Sequence, residues 1–585
     1  MFVKKLVSNY ISNVLVIGCG GAGLRSAIEI CNLGLKVCIL GKRAKNDSHT
    51  VLAAGGINAA FGNLDDDDSW EQHFADTYIE GYGIGEAEQI ELLTKDSLDV
   101  VQEIDSWGAK LAKLDNGKIS QRFFGAHTYR RTCYAGDYTG KAILNALLAK
   151  TKALNIPIFD NQYVTKLLVE NGRCFGAVGF DINTGEISTF IADCVILASG
   201  GHTRIWDKSS SRKNESNGDG FYLALDAGCS LKDMEMVQFH PTGMVIPDEY
   251  AGTLVTEAVR GEGGILLNNK GERFMKRYDE KRMELSSRDQ VAIANYMEIL
   301  NGNGTNNGGI YLDISHKNKD FILEKIPKIY RLFLESQMLD ISKKPMEVAP
   351  TAHYSMGGIE VNPSDHQTAI EGLFAVGEVA GGLHGANRLG GNSLSEILVF
   401  GKRAGKAATN YSLNKEYFIR SKKIIDKAKK EIKELIKKGD ENPICLQNQL
   451  GKIMWEYCGV IKNESSLKIG LAELDKIKKR YKRLDIRIDS ESCRDLILAF
   501  DIKASIISAE ATIRSSLARE ETRGAHQRSD YPNLKKDYQI NLIIKLLGNN
   551  KFELNKKVIN PLKGELLKAV KNTKSINSFK GRLLE

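Results

Sequence analysis

Three short constellations in the chain bring together residue types that can do chemistry. The first is Gly18-Cys19-Gly20-Gly21-Ala22-Gly23, where only glycine lets backbone amides approach a pyrophosphate at the N-terminus of a following helix. The second is a pair of histidines, His240 and His353, each flanked by glycine or proline and expected in turns that line clefts rather than cores. The third is Arg388 within Gly-Ala-Asn-Arg-Leu-Gly-Gly, a cation suited to charge-assisted bonds with a carboxylate. Each has a plainer alternative: a glycine turn that serves packing, a core or surface histidine, an arginine paired with an acid on its own turn. Glu257 and Arg260, three apart, read by themselves as an ion pair on a helix surface.

The elements around these residues follow from periodicity. Residues 13–18 form a short β-rich run before the glycines, 24–33 carry helical spacing, and 36–40 form a second strand. This is the strand-turn-helix-strand unit of a dinucleotide site. The second strand ends in Gly41-Lys42 instead of the acid that would bond a ribose hydroxyl, which disfavours a simple NAD domain. Apolar strands ending in glycines recur as CVILASGG at 194–201 and LFAVGEVAGG at 373–382. Pieces of one sheet are therefore expected far apart in the chain. The mixed stretch from about 245 to 350, with polar turns at 268–271 and 301–308, reads as an inserted domain whose cleft with the first would hold a substrate. From 411 to 520 the pattern is helical, as in Ile424, Ile425, Ala428, Ile432 and Ile436, and a poorly defined tail is expected after Pro532. The expected class is α/β: a Rossmann-like nucleotide-binding domain at 1–245 and 352–410, an inserted α+β capping domain at 246–351, a helical bundle at 411–540 and a tail at 541–585.

Composition excludes other classes. The 585 residues carry 81 Lys+Arg and 73 Asp+Glu, with 42% hydrophobic residues, a soluble globular balance with room for about three or four domains. The net charge of +8 is uneven: 38 basic and 23 acidic residues fall in 411–585, leaving an acidic remainder before them. The basic third suggests a nucleic-acid, membrane or acidic-protein partner, but its lysines are spread through helical patterns as on a solvated face, and no nucleic-acid motif accompanies them. No apolar run reaches the roughly 18 residues of a membrane span, and the N-terminus does not read as a secretory signal. Ten cysteines without a C-x-x-C pair point to neither zinc nor an iron-sulfur centre, so no metal site and free thiols in a reducing compartment are expected.

Ser48-His49-Thr50 with Gly55-Gly56-Ile57-Asn58-Ala59-Ala60, VQFHPTG at 237–243, TEAVRGEGG at 256–264, SRD at 287–289, HYSMGG at 353–358, HGANRLGGNSL at 384–394 and RGAH at 523–526 together resemble the flavoprotein subunit of succinate dehydrogenase and fumarate reductase. The motifs stand in that family's order from about Asn13 to Pro532. The resemblance implies FAD bonded covalently through His49, hydride exchange between succinate and fumarate, electrons leaving through a separate iron-sulfur subunit, and attachment to the inner, cytoplasmic face of a membrane through a membrane anchor subunit with its quinone.

By the same resemblance, His240, Thr256, His353 and Arg388 bind the dicarboxylate, and Arg288 exchanges the proton through Glu257 and Arg260. Arginine is a poor base at its free pKa of about 12.5 and depends on such a relay. Gly18 to Gly23, Lys42, Ser48 to Thr50, Gly55, Gly56, Asp219, Glu378, Ser393 and Leu394 hold the cofactor. Two positions depart from the pattern: Asp47 stands where the family usually has Arg, and Ala54 where it has Gln or Glu. The competing family is L-aspartate oxidase, which shares the dicarboxylate motifs but lacks the histidine of Ser48-His49-Thr50. A noncatalytic flavoprotein scaffold is the competitor of another class, and retention of all the expected site residues speaks against it.

Overall fold

In the computed structural model, which describes residues 8–488, 493–548 and 551–573, the glycine turn sits at the centre of a parallel sheet. Val14–Ile17 pairs with Val37–Leu40 on one side and Cys194–Leu197 on the other; Ile158–Phe159 and Leu373–Ala375 extend the two edges. The central strands are buried on both faces, which is why each is an unbroken apolar run. The sheet draws on distant segments, as the repeated strand-glycine pattern predicts. Helix Gly21–Asn32 leaves the turn and packs against Asn392–Asn414 at Gly401 and Gly405. A Cβ there would lie 2.9 Å from Ala22 O and 2.7 Å from Ser26 O. This close approach carries the 388–394 loop to the mouth of the glycine turn.

The inserted stretch builds an antiparallel sheet in the order Val237–Met244, Met346–Ser355, Ile310–Asp313, Ile265–Leu267. Its first and last segments in sequence are the two chain crossings between the nucleotide-binding sheet and the insert. His240 and His353 thus lie on neighbouring strands, not in the turns expected from their glycine and proline neighbours. The pairing shifts register at Gln238/Phe239 and again between His240 and Gly243. Such bulges let Gly and Pro sit inside a strand and re-aim the side chains beside them.

The helical region contains Lys422–Leu435, Pro443–Tyr457, Glu464–Tyr481 and Arg494–Ala518. Ala428 and Ile432 are buried in its core while the lysines around them face outward, a solvated face. Ile436, expected to continue the stripe, is the extended residue that ends the first helix.

The tail is more ordered than expected. Ile540–Leu546 and Phe552–Val558 form a hairpin, and Ile540–Leu546 pairs with Ser230–Lys232. Leu542 and Ile544 are buried there, but their alternation is masked in a lysine-rich stretch and their partner strand lies some three hundred residues away. The end of that tail at 574–585, and Lys4 and Lys5, fall outside the described residues. Among the described residues no helix is long and apolar enough to cross a membrane.

Candidate active site

One cavity of about 860 Å³ runs from the glycine turn to the strands of the insert, and all but two of the expected site residues line it. The exceptions are Gly23 and Arg260. Gly23 packs on the backbone of Gly18, whose carbonyl a Cβ would strike, and Arg260 lies behind Glu257.

The inner end has the form a dinucleotide requires. Gly18 has φ +122°, and a side chain there would run into Ala198 O, so the turn admits only glycine. A Cβ on Gly20 would meet nothing closer than Thr50 Oγ1 at 3.4 Å, which leaves the backbone open to a ligand. Gly21 N–H donates to Thr50 Oγ1 at 3.0 Å, tying the first helical turn to the Ser48-His49-Thr50 segment. Ser48 Oγ and Ser199 Oγ are buried without a hydrogen-bond partner, and both line the cavity. Buried polar groups are rarely left unpaired; these fit FAD, whose polar edges would satisfy them.

Lys42 Nζ donates to Asp501 at 2.6 Å and lies 3.5 Å from Asp219. Burial works against its charge, but the two carboxylates outweigh it and hold Lys42 above its ordinary value. Glu378 Oε1 accepts from Ser355 N at 3.0 Å. His49 Nδ1 lies 2.9 Å from Glu215 Oε1, and this carboxylate keeps the imidazole above its ordinary value although burial opposes it. Asp47 is bound by Arg43 and Arg212.

The outer end is cationic. His240 and His353 stand with ring centroids 5.1 Å apart. Burial, joined by the neighbouring arginines, pushes both well below their ordinary values, so both are neutral near pH 7. Thr242 N–H donates to His240 Nδ1 at 3.2 Å; a backbone amide can only donate, so Nε2 carries the His240 proton. Ser210 Oγ meets His353 Nδ1 at 2.9 Å. Arg388 is 5% exposed, makes no ion pair among the described residues, and holds its guanidinium 4.1 Å over the Tyr354 ring. Burial, with the charge of Arg288, lowers it to about 10. The reading of Arg388 as one half of a turn ion pair therefore fails.

Glu257 and Arg260 are not on a helix surface either. Their side chains are 7% and 0% exposed, at 3.8 Å, and Arg288 Nε donates to the same Glu257 oxygen at 2.8 Å. Although burial opposes ionisation, Arg288 and Arg260 pull the Glu257 carboxyl down to about 2. Arg260 Nη1 donates to Glu284 O at 2.5 Å, while its Nε and Nη2 have no hydrogen-bond partner. Three guanidinium groups thus face a single carboxylate within ion-pair reach among the described residues. A cation-rich wall of this kind suits an anionic substrate such as a dicarboxylate.

Sequence reasoning missed four residues here. Gln238 Oε1 accepts from Arg288 at 3.3 Å and Arg388 at 3.1 Å; it stands two residues before His240 in a motif already singled out, where strand alternation would have pointed to it. Phe124 lies 5.8 Å from the Arg288 guanidinium. Asp501 and Tyr163, whose hydroxyl donates to Asp501 at 2.8 Å, tie the helical region to the cofactor end, and nothing local in the sequence marks them.

A family model described as "FAD binding domain" matches residues 13–394, and one described as "Fumarate reductase flavoprotein C-term" matches 447–561. The chain is 42% identical over 537 residues to one of the subunits of the fumarate reductase (CoM/CoB) of Methanothermobacter marburgensis, covering 92% of this chain and 97% of that one. It is 36% identical over 552 residues to the succinate dehydrogenase flavoprotein subunit of Rickettsia conorii, covering 89% and 90%. Among solved structures, Mycobacterium smegmatis Sdh1 in complex with UQ1 superposes with a TM-score of 0.88 at 37% identity, covering 96% of each chain.

Proposed function

The chain belongs to the FAD-dependent flavoprotein family of succinate dehydrogenase and fumarate reductase, and from that premise we propose that it interconverts succinate and fumarate with Arg288 moving the proton. The observation that carries this is the placement of Arg288 on Glu257 and of Arg388, with no ion pair among the described residues, in the wall of one cavity. Bound FAD supplies the two-electron exchange; the chain's own residues hold the anion and the proton.

Arg388, without an ion pair among the described residues, binds carboxylate, and the His240 Nε2–H, Thr256 and His353 supply further polar contacts. Glu257, ionised, accepts from Arg288 Nε at 2.8 Å, and the guanidinium, cationic as any arginine is near pH 7, stands ready to donate a proton to fumarate. Succinate oxidation uses the same path in reverse: Arg288, having passed its proton to the Glu257 carboxylate, takes one from the substrate carbon, with Arg260 beyond Glu257 at 3.8 Å as the next group of the relay. His49 is the proposed covalent attachment point of FAD. Its Nδ1 is engaged by Glu215, which leaves Nε2 for the cofactor. Ala54 lines the cavity with a methyl group where the family usually offers an amide or carboxylate.

This reading gives the iron-sulfur centres and the attachment to the inner, cytoplasmic face of a membrane to partner chains, the outward lysines of 420–440 and 551–580 being a docking surface for the iron-sulfur subunit; 574–580 lie outside the described residues. Relatives carry names with CoM/CoB and with 8-methylmenaquinol, so assays of the complex with a quinol and with CoM/CoB separate the two electron partners. The function itself is tested by succinate-driven dye reduction with the isolated FAD-loaded chain: turnover is expected, and dye reduction by L-aspartate alone would assign the chain to the oxidase reaction instead.

A further inference from the structure

The loop after Thr203–Ile205 carries no residue that the reaction above uses, yet it brings a carboxylate to His49. Glu215 Oε1 lies 2.9 Å from His49 Nδ1. Glu215 is in turn gripped by Arg212, whose N–H and Nε donate to Oε1 at 2.9 and 3.1 Å and whose Nη2 donates to Oε2 at 2.8 Å. The same guanidinium reaches the residues preceding His49: Nη1 donates to Asp47 Oδ1 at 2.5 Å and Nη2 to Asp47 O at 2.8 Å. Arg43 closes the assembly on the far side of Asp47. Two segments 165 residues apart are thereby fastened around one histidine. The Glu215 side chain is 8% exposed, whereas His49 keeps 35% of its side-chain surface and lines the cavity.

An ionised carboxylate can only accept a hydrogen bond, so the bonded Nδ1 carries a proton and Nε2 is the nitrogen left for chemistry. We infer that Glu215, held in place by Arg212, is the positioning residue that aims His49 and presents Nε2 to the bound flavin, an inference that rests on reading His49 as the attachment point of FAD. Glu215 stays ionised there: burial opposes its charge, but His49 and Arg212 hold it well below the usual carboxylate range. Asp47 also gains a reason. It is the acidic anchor of the Arg212 clamp, and the positive charge expected at position 47 arrives from Arg212 of a different segment.

The inference is tested by acid precipitation of the holoenzyme followed by in-gel flavin fluorescence, compared with the total FAD bound before precipitation. Wild type should keep acid-stable flavin. Glu215→Gln should bind FAD yet lose acid-stable flavin about tenfold or more, the scale on which losing the partner that orients a histidine acts, with Glu215→Asp restoring part of it. Asp47→Asn, which frees only the outer end of the clamp, should give a smaller loss and serves if Glu215→Gln cannot bind FAD. An unchanged acid-stable fraction in the Glu215 and Asp47 variants overturns the inference and leaves the attachment at His49 standing. If wild type itself has no acid-stable flavin, attachment at His49 fails. The inference, which rests on that attachment, then falls with it, whereas a loss of acid-stable flavin confined to the Glu215 and Asp47 variants supports it.

Discussion

Arg288 and Arg388 share one acceptor: Gln238 Oε1 takes a hydrogen bond from each, at 3.3 and 3.1 Å. Two cations that would repel one another, Arg388 buried and Arg288 partly so, are thus held apart by a neutral amide, whose Nε2 is anchored in turn by Asn387 Oδ1 at 2.8 Å. The group proposed to move the proton and the group proposed to bind the carboxylate are therefore kept in register by a residue that is neither.

Replacing that amide should damage catalysis without emptying the cofactor site. Gln238→Met keeps the length of the side chain and removes both hydrogen bonds. We expect kcat to fall about 10- to 100-fold, in line with the sensitivity of reacting geometry to small misplacements, with FAD content at wild-type level. A variant that loses FAD in proportion to its activity would show that Gln238 acts on the fold instead.

Glu257 has a pH signature. Its folded-state value of about 2 lies below an ordinary value of 4.5, so its contribution to stability is complete above the unfolded value and is lost as pH falls from about 4.5 towards 2. The shift corresponds to about 3 kcal/mol. Glu257→Gln should be less stable than wild type by about that amount near pH 7, because it strands the Arg288 and Arg260 charges, and the gap should close in acid. Denaturant titrations at pH 7 and at about pH 3, inside the window between the folded and unfolded values, check this; a gap independent of pH contradicts it.

The contact between Lys42 and Asp501 couples the helical region to the cofactor. Asp501→Leu leaves Lys42 with Asp219 as its one remaining acid, at 3.5 Å, a half-buried cation with a weaker partner. FAD affinity should drop about tenfold or more, as for other broken buried charge pairs, while KM for the dicarboxylate in the FAD-saturated enzyme stays near wild type. Fluorescence titration with FAD separates this from a general loss of folding.

His49→Ser should retain FAD and fumarate reduction but lose succinate oxidation, since the covalent link is proposed to raise the flavin potential. Full retention of succinate oxidation in this variant would remove the tuning role from His49.

How much of the fold and the site is legible in the sequence depends on the range of each signal. The glycine turn is legible because its residues act on their own neighbours: Gly18, Gly20 and Gly23 shape one strand-to-helix turn. The motif residues around the cavity are legible by resemblance, and the cavity wall gathers them. His240 and His353 are expected in turns because bulges let glycine and proline persist inside strands. Asp501 and Glu215 act through partners as far as 459 residues away, and no local pattern announces such a contact. The 540–558 hairpin is hidden for the same reason, its pairing strand lying at 230–232.

The central claim is that this cavity reduces fumarate and oxidises succinate through Arg288. Its most direct test is fumarate-dependent oxidation of a reduced viologen dye by the FAD-loaded enzyme, wild type against Arg288→Gln. The account predicts turnover in wild type and a fall of about 10²- to 10⁴-fold in kcat for the variant, the usual weight of a general acid, with FAD bound in both. Comparable turnover in the two proteins, or a wild type inert to both fumarate and succinate, would contradict it.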